Sequence, residues 1–394
     1  MYNVYQHWDP LKVCIVGKSY GPEFYSFITN SRVRNVLERI AIETEEDYQK
    51  LINLLKRFGV NVLRPNVHSD YKFYLSQGKI LPPPMTPRDY TMMLGSDFYF
   101  KSRHVHQTIL SQWDMLKGMD WPDNCPSEDK INQLPAFIKK EIYDFCSVNI
   151  DLNISELSPS DEYPWGHVLD QIRSYGNKVI SNSDSKYTDG LNAAGVTRIG
   201  KDIYMGTSFH GEDLSSYITQ LNSTVYPNYR WHQVDTAGHS DGTFCPVKPG
   251  LIVSLRDIPT YKDTFPGWEV VYLPYQSWDK VRPFLDLKVK NKGKWWVPGE
   301  ELNDDFTSFV EEWLGHWVGY VEETVFDVNM LVIDEKNVVC NNYNEAVFEA
   351  FNRHGVTPHI VNFRHRYFWD GGLHCITSDV HREGTMQDYF PERG

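Results

Sequence analysis

Cysteine is scarce in this chain and scattered. The six, Cys14, Cys125, Cys146, Cys245, Cys340 and Cys375, include no Cys-x-x-C pair. That excludes the usual zinc and dithiol spacings and fits free thiols in a reducing compartment better than a disulfide framework. Long apolar runs are missing too: none approaches the ~18 residues of a membrane span. The opening MYNVYQHWDP has no basic n-region, apolar core or Arg/Ser-rich amphipathic stretch, so no targeting peptide is expected and the expected location is cytoplasmic. Basic charge is in deficit. With 39 Lys and Arg against 52 Asp and Glu, the net charge is -13, the reverse of the field a nucleic-acid binder carries. An acidic surface favours small cationic ligands.

What is present is ample core material. The 394 residues are 41% hydrophobic and 14% aromatic, which argues against disorder. β-rich runs occur at Val13–Val16, Met92–Leu94 with Phe98–Phe100, Val196–Ile199 with Ile203–Met205, Leu251–Leu255, and Met330–Ile333 with Val338–Cys340. Three are paired around tight polar turns and read as hairpins. Amphipathic stretches Thr44–Phe58, His167–Tyr175 and Asn344–His354 each end at a glycine, a helix C-cap signal. A short strand follows each glycine. The unit hairpin, helix, strand therefore recurs, and the spacing predicts an internally repeated α/β fold in one domain, 1–394. The stretch from about 101 to 160 reads as helical, an elaboration of that domain.

Five groups of residues are candidates for chemistry. Asp370-Gly-Gly-Leu-His-Cys375 places a glycine pair before a cysteine, which allows close backbone approach to a ligand; the alternative is a buried structural thiol. In His239-Ser-Asp241, an extended backbone would point both side chains to one side; the alternative is an exposed turn. Pro87-Arg88-Asp89 is stiffened by proline, and its plain alternative is a surface ion pair of little energetic worth. Asn192 sits in ordinary loop sequence, Leu-Asn-Ala-Ala-Gly. His365, His374, Cys375 and His381 crowd into 17 residues, but at no standard metal spacing.

Taken in order, these segments resemble the glycine/inosamine amidinotransferase family. The resemblance rests on Trp8-Asp-Pro-Leu-Lys-Val13, Met85-x-Pro-Arg-Asp89, Arg198-x-Gly-x-Asp-Ile203, His239-x-Asp-x-Thr-Phe244, Asn329-x-Leu331 with Asp334-Glu-Lys336, and Gly371-Gly-x-His-Cys375 running on to Thr385. It implies the pentein fold, a five-bladed α/β propeller with pseudo-fivefold symmetry. It also implies roles: Cys375 as nucleophile, His239 as general acid/base, and Asp89 and Asp241 gripping a guanidinium. Two carboxylates suit a planar cation with paired N–H donors and hold its carbon for attack. The implied chemistry is a ping-pong transfer of an amidino group from arginine to a glycine-like amine through amidino-Cys375. No metal and no organic cofactor is implied, the partners are the small guanidino donor and amine acceptor, neither nucleic acid nor membrane, and a homodimer is left open.

Two departures from the family pattern stand out. Asn192 aligns where the family carries the aspartate beside the histidine; it retains an acceptor for the imidazole N–H without the charge, as in Cys–His–Asn enzymes, with Asp189 as a competing partner. Arg256 is the substitute for the family's donor-carboxylate arginine, and Glu322-Glu323 stand where the family has small hydroxyl residues. Two rival readings share these residues: a guanidino-group hydrolase resembling arginine deiminases, in which water resolves the intermediate, and a guanidino-binding homologue that has lost turnover.

Overall fold

The computed structural model describes residues 1–67, 75–76, 79–80, 82–101, 162, 164–181, 191–255, 261–273, 295–315, 317–318 and 325–393. Strand β1, Leu11–Val16, leads through helix α1, Ser31–Arg57, to β2, Asn61–Leu63. A two-stranded ribbon comes next, β3 Leu75–Ser76 and β4 Lys79–Ile80. Hairpin β5–β6, Thr91–Leu94 and Asp97–Phe100, leads to helix α2, Gly166–Ser174, and strand β7, Lys178–Ser181. Hairpin β8–β9, Val196–Ile199 and Asp202–Gly206, is completed by β10, Arg230–Val234. Hairpin β11–β12, Phe244–Lys248 and Leu251–Ser254, is completed by β13, Glu269–Tyr272. Hairpin β14–β15, Leu331–Asp334 and Asn337–Cys340, leads to helix α3, Glu345–His354, and strand β16, Thr357–Ile360. The last strand is β17, Thr377–Arg382.

Each repeat makes one three-stranded sheet: an antiparallel pair with a third strand parallel to its inner member. The first sheet obeys the rule with strands from both ends of the chain, since β17 pairs antiparallel with β1, and β1 parallel with β2. Among the described residues the structure is mixed α/β, with five such small sheets plus the ribbon. A parallel third strand needs a crossover connection, and α1, α2 and α3 fill that place in their repeats. Helix α3 shows why the sequence folds so. Asn344 caps it by accepting the Val347 N–H, and Gly355, at φ +66°, ends it in the left-handed region, where glycine has no Cβ penalty.

The structure differs from the sequence reading at several elements. Helix α1 starts well before Thr44. Acidic and β-branched residues from Ile40 to Glu46 blur its pattern, yet Val33, Val36, Leu37, Ile40 and Ala41 keep helical spacing and are buried. Strands β3, β4, β10, β11, β13 and β17 were not expected. Strand β17 escaped because most of its buried residues are polar: Thr377, Ser378, Asp379 and Arg382 are all within 1% of full burial, so hydropathy alternation is lost. The stretch 102–161 lies outside the described residues.

Those polar residues form the centre of the fold. Asp379 accepts from Arg88 at 3.2 Å and Arg198 at 2.7 Å on one oxygen, and from Arg382 at 2.7 Å on the other. All four side chains are essentially inaccessible. Burial would push the Asp379 carboxyl up, but the three guanidinium groups hold it well below the usual carboxylate range. Other guanidinium donors reach main-chain carbonyls: Arg88 to His374 and Thr377, Arg198 to Met93, and Arg382 to Asp9 and Val332. One carboxylate thus joins β17, β8, β5, β14 and the turn carrying Arg88.

Candidate active site

The Cys375 loop is built on that centre. After a short helical turn, Arg366–Trp369, Asp370 takes a left-handed conformation at φ 50°, which aspartate tolerates better than most residues. The chain then turns tightly, with Ile376 N–H donating to the Gly372 carbonyl and the Thr377 hydroxyl to those of Leu373 and His374. Arg88 Nε donates to the His374 carbonyl at 2.8 Å, so the loop is fastened to the arginine–carboxylate centre. Cys375 is buried, at 9% exposure. Its Sγ receives an N–H from Asn329 at 2.9 Å and lies 3.4 Å from Asp241 Oδ2. Burial pushes the thiol well up, Asp241 and Asp89 push it further, and the Asn329 hydrogen bond opposes them.

Asp241 lies in a tight 3-10 turn, Ser240–Gly242, whose Asp241 N–H donates to the Ala194 carbonyl. Of the two backbones considered for this segment, the turn is the one that forms. The turn separates the two side chains: Asp241 is buried at 5% exposure, and His239, at the mouth of the turn, is 56% exposed at its side chain. Asp241 Oδ2 accepts the Nδ1–H of His374 at 2.9 Å. Its other oxygen, Oδ1, is buried without a hydrogen-bond partner among the described residues. Burial raises the Asp241 carboxyl, but the hydrogen bond from His374 and the neighbouring positive charge bring it below its ordinary value. His374 goes the other way, down to about 4, chiefly through burial and then the Arg88 charge. At neutral pH it is therefore a neutral imidazole donating Nδ1–H to an ionised carboxylate.

The Pro87–Asp89 turn splits its two charged residues. Arg88 is turned fully inward, so the surface pair considered from the sequence does not form. Asp89 points to His239, with Oδ1 3.6 Å from the ring Nδ1. Burial lowers the His239 pKa, but Asp89, then Asp241 and Asp370, raise it above its ordinary value. The structure thus brings together a thiol, an imidazole that favours its charged form, and carboxylates from three separate segments.

Asn192 stands differently from the expectation. Its Oδ1 accepts the N–H groups of Ala194 at 3.1 Å and Gly195 at 2.8 Å, a local turn that asparagine readily makes. No hydrogen bond joins it to His239 among the described residues, because its own loop has taken up the oxygen. It supports instead the loop whose Ala194 carbonyl receives Asp241. Arg256, Asp189 and Glu322-Glu323 lie outside the described residues. The three histidines near Cys375 diverge: His365 meets Glu43, His374 meets Asp241, and His381 meets Asn3. No cluster of His, Cys, Asp or Glu suited to a metal occurs among the described residues. No helix among them is long and apolar enough to cross a membrane.

Sequence reasoning gave no role to Asn329, His374 or Asp370, although all three stand inside or beside the motifs that carry the resemblance. The signal was position: each adjoins a glycine, the cysteine or a strand start, and Asn329 and His374 are polar residues that need a reason to be buried.

No protein-family model matches the chain. It is 23% identical over 423 residues to a mitochondrial glycine amidinotransferase of Xenopus tropicalis, an alignment covering 98% of this chain and 84% of that protein. It is also 23% identical over 240 residues to an L-arginine:L-lysine amidinotransferase of Pseudomonas savastanoi pv. phaseolicola, covering 60% of this chain and 55% of that one. Two solved structures share its fold. SxtG, an amidinotransferase of saxitoxin biosynthesis from Microseira wollei, superimposes with a TM-score of 0.60 at 17% identity, covering 99% of both chains. An inosamine-phosphate amidinotransferase from Streptomyces griseus gives 0.58 at 18%, again covering 99% of both. The resemblance read from the motifs therefore holds over essentially the whole chain.

Proposed function

We propose that this protein moves an amidino group from arginine to a primary amine through a covalent amidino-Cys375 intermediate. The observation that carries the reading is Asp241: an ionised carboxylate, buried 3.4 Å from a cysteine sulfur, with one oxygen lacking a partner among the described residues. Such an oxygen is costly to leave empty, and a guanidinium N–H fits it in charge and geometry. Asp89 supplies a second carboxylate from another segment. Full-length similarity to amidinotransferases supports the same chemistry, and the names of the curated relatives make glycine and lysine the first acceptors to try. On this reading the five sheets close as a single propeller-like domain, pinned by β17 on β1, around one site.

The steps follow from the groups present. Bound guanidinium offsets the carboxylates around Cys375 and lowers its thiol pKa. The thiolate forms a bond to the guanidino carbon, and the bond from that carbon to the departing nitrogen breaks as His239 gives that nitrogen a proton. Ornithine leaves, and S-amidino-Cys375 remains. An acceptor amine then gives a proton to His239 and takes the amidino group, releasing the thiolate. Asp89 favours the charged form of His239 that the first step needs. Asn192 acts through the loop under Asp241, and Arg256 is the proposed contact for the donor's carboxylate.

The test is incubation with arginine, with and without glycine or lysine, following products and intact protein mass. Ornithine that requires an added amine, with an adduct that disappears in Cys375→Ser, is the expected result. Citrulline and ammonia formed without any amine assign the hydrolase outcome instead. Neither product nor adduct removes both enzyme readings for arginine.

A further inference from the structure

Asn329 has no part in the proposed transfer steps, yet it touches the reacting atom. It lies just before β14 at 2% exposure and uses its whole amide. Oδ1 accepts the main-chain N–H groups of His374 at 2.9 Å and Cys375 at 3.1 Å. Nδ2 donates to the Asp241 carbonyl at 3.1 Å and to Cys375 Sγ at 2.9 Å. The two N–H groups fix which end is which. A flipped amide would set NH₂ against two donors and the oxygen against a carbonyl and the sulfur, so the network itself orients the amide. The local sequence is shaped for it. A Cβ added at Gly372 would come within 2.6 Å of Asn329 Oδ1 and 2.9 Å of its Cβ, which accounts for the glycine there.

The surroundings of Sγ give this donor its importance. The carboxylates of Asp241 and Asp89, which suit a cationic substrate, disfavour a second negative charge on sulfur. The Asn329 N–H is the side-chain group at Sγ that favours that charge. We propose that Asn329 is a catalytic residue that stabilises the Cys375 thiolate through its Nδ2–H···Sγ hydrogen bond. The inference rests on Cys375 being the nucleophile. It separates Asn329 from a merely structural clamp: a clamp needs the Oδ1 acceptor, thiolate stabilisation needs the Nδ2 donor.

Asn329→Asp and Asn329→Ala distinguish the two. Aspartate keeps the acceptor and the shape but turns a carboxylate oxygen toward the sulfur. Alanine removes both. The readout is the midpoint of the pH profile for iodoacetamide alkylation of Cys375, assigned by peptide mass in the full-length protein, with thermal unfolding as the folding control. The expected order of midpoints is wild type lowest, Asn329→Ala raised, and Asn329→Asp raised most. A shift of about one pH unit corresponds to roughly tenfold less thiolate at neutral pH. A clamp role leaves the midpoint of a folded Asn329→Ala at wild type and overturns the proposal; the rise in Asn329→Asp follows from its added charge and serves as the upper reference. If Asn329→Asp does not fold, Asn329→Ala decides alone: a folded protein with a wild-type midpoint overturns it. No substrate enters the experiment. A midpoint that moves in a protein inert toward arginine retires the transfer reaction and leaves this role standing. An unmoved midpoint in an active enzyme does the opposite.

Discussion

Two buried carboxylates, Asp379 and Asp241, sit on the same scaffold and have opposite surroundings. Asp379 is saturated by three resident guanidinium groups on both oxygens. Asp241 has one oxygen shared by His374 and the cysteine sulfur, and one with no partner among the described residues. The same interaction, carboxylate with guanidinium, is closed for structure in one place and left open in the other. The difference teaches how to tell a fold-holding charge from a ligand-holding one. Burial does not separate them, since both are inaccessible. Completeness of hydrogen bonding does. Arg88 links the two, donating to Asp379 and to the carbonyl of His374, the residue that holds Asp241.

The largest expected effect comes from breaking the closed member. Asp379→Asn keeps the shape but leaves three buried arginines without a counter-charge. Removing one partner of a buried ion pair typically costs ~3–5 kcal/mol, and here several pairs go at once. Urea unfolding should show a loss at least in that range, or no folded protein. A variant with wild-type stability would mean that the centre is held by the arginine contacts to main-chain carbonyls alone.

The open member should respond oppositely. Asp241→Asn removes a buried charge whose pairing is incomplete, so its unfolding midpoint should stay near wild type or rise. Arginine binding should suffer instead. Loss of one partner of a buried charged contact costs about 2–5 kcal/mol, or roughly thirtyfold to a few thousandfold in affinity. Calorimetric titration of arginine, with thermal unfolding on the same samples, measures both sides. Comparable instability in Asp241→Asn and Asp379→Asn would erase the distinction between the two carboxylates.

The sequence made the two regions legible to different degrees. Hairpins β5–β6, β8–β9 and β14–β15 were readable because apolar runs flank tight polar turns. Helix ends at Gly59, Gly176 and Gly355 were readable because all three take a positive φ. Cys375, His239, Asp89 and Asp241 were named through motif resemblance, and the fold brings them close together. What stayed hidden depends on distant pairing. Arg88 and Asp379 are 291 residues apart, and no local pattern shows that Arg88 turns inward while Asp89 turns out. Asn192 was assigned to the histidine by alignment, but the loop's own N–H groups hold its oxygen. Strand β17 was hidden because the centre it carries is ionic, not apolar.

The smallest expected effect sharpens the comparison through pH. His374 is held neutral in the folded protein, with its pKa lowered to about 4 against an ordinary 6.5. The unfolded chain therefore takes up a proton there that the native state refuses. Stability should fall as pH drops from about 6.5 toward 4, by up to roughly 3 kcal/mol if this group acted alone. His7, buried against the same arginines and also lowered, adds a slope of the same sign, so the difference between two proteins is the quantity to measure. In His374→Asn the amide NH₂ takes the place of Nδ1–H toward Asp241 but does not titrate. Urea unfolding of both proteins between pH 4 and 7 should give curves that converge as pH falls, the wild type losing its advantage. A wild-type advantage that grows as pH falls would mean that His374 holds a charge in the native state. Asp241 would then be partly neutralised by a resident cation, as Asp379 is, and its open oxygen would be a weaker seat for a guanidinium.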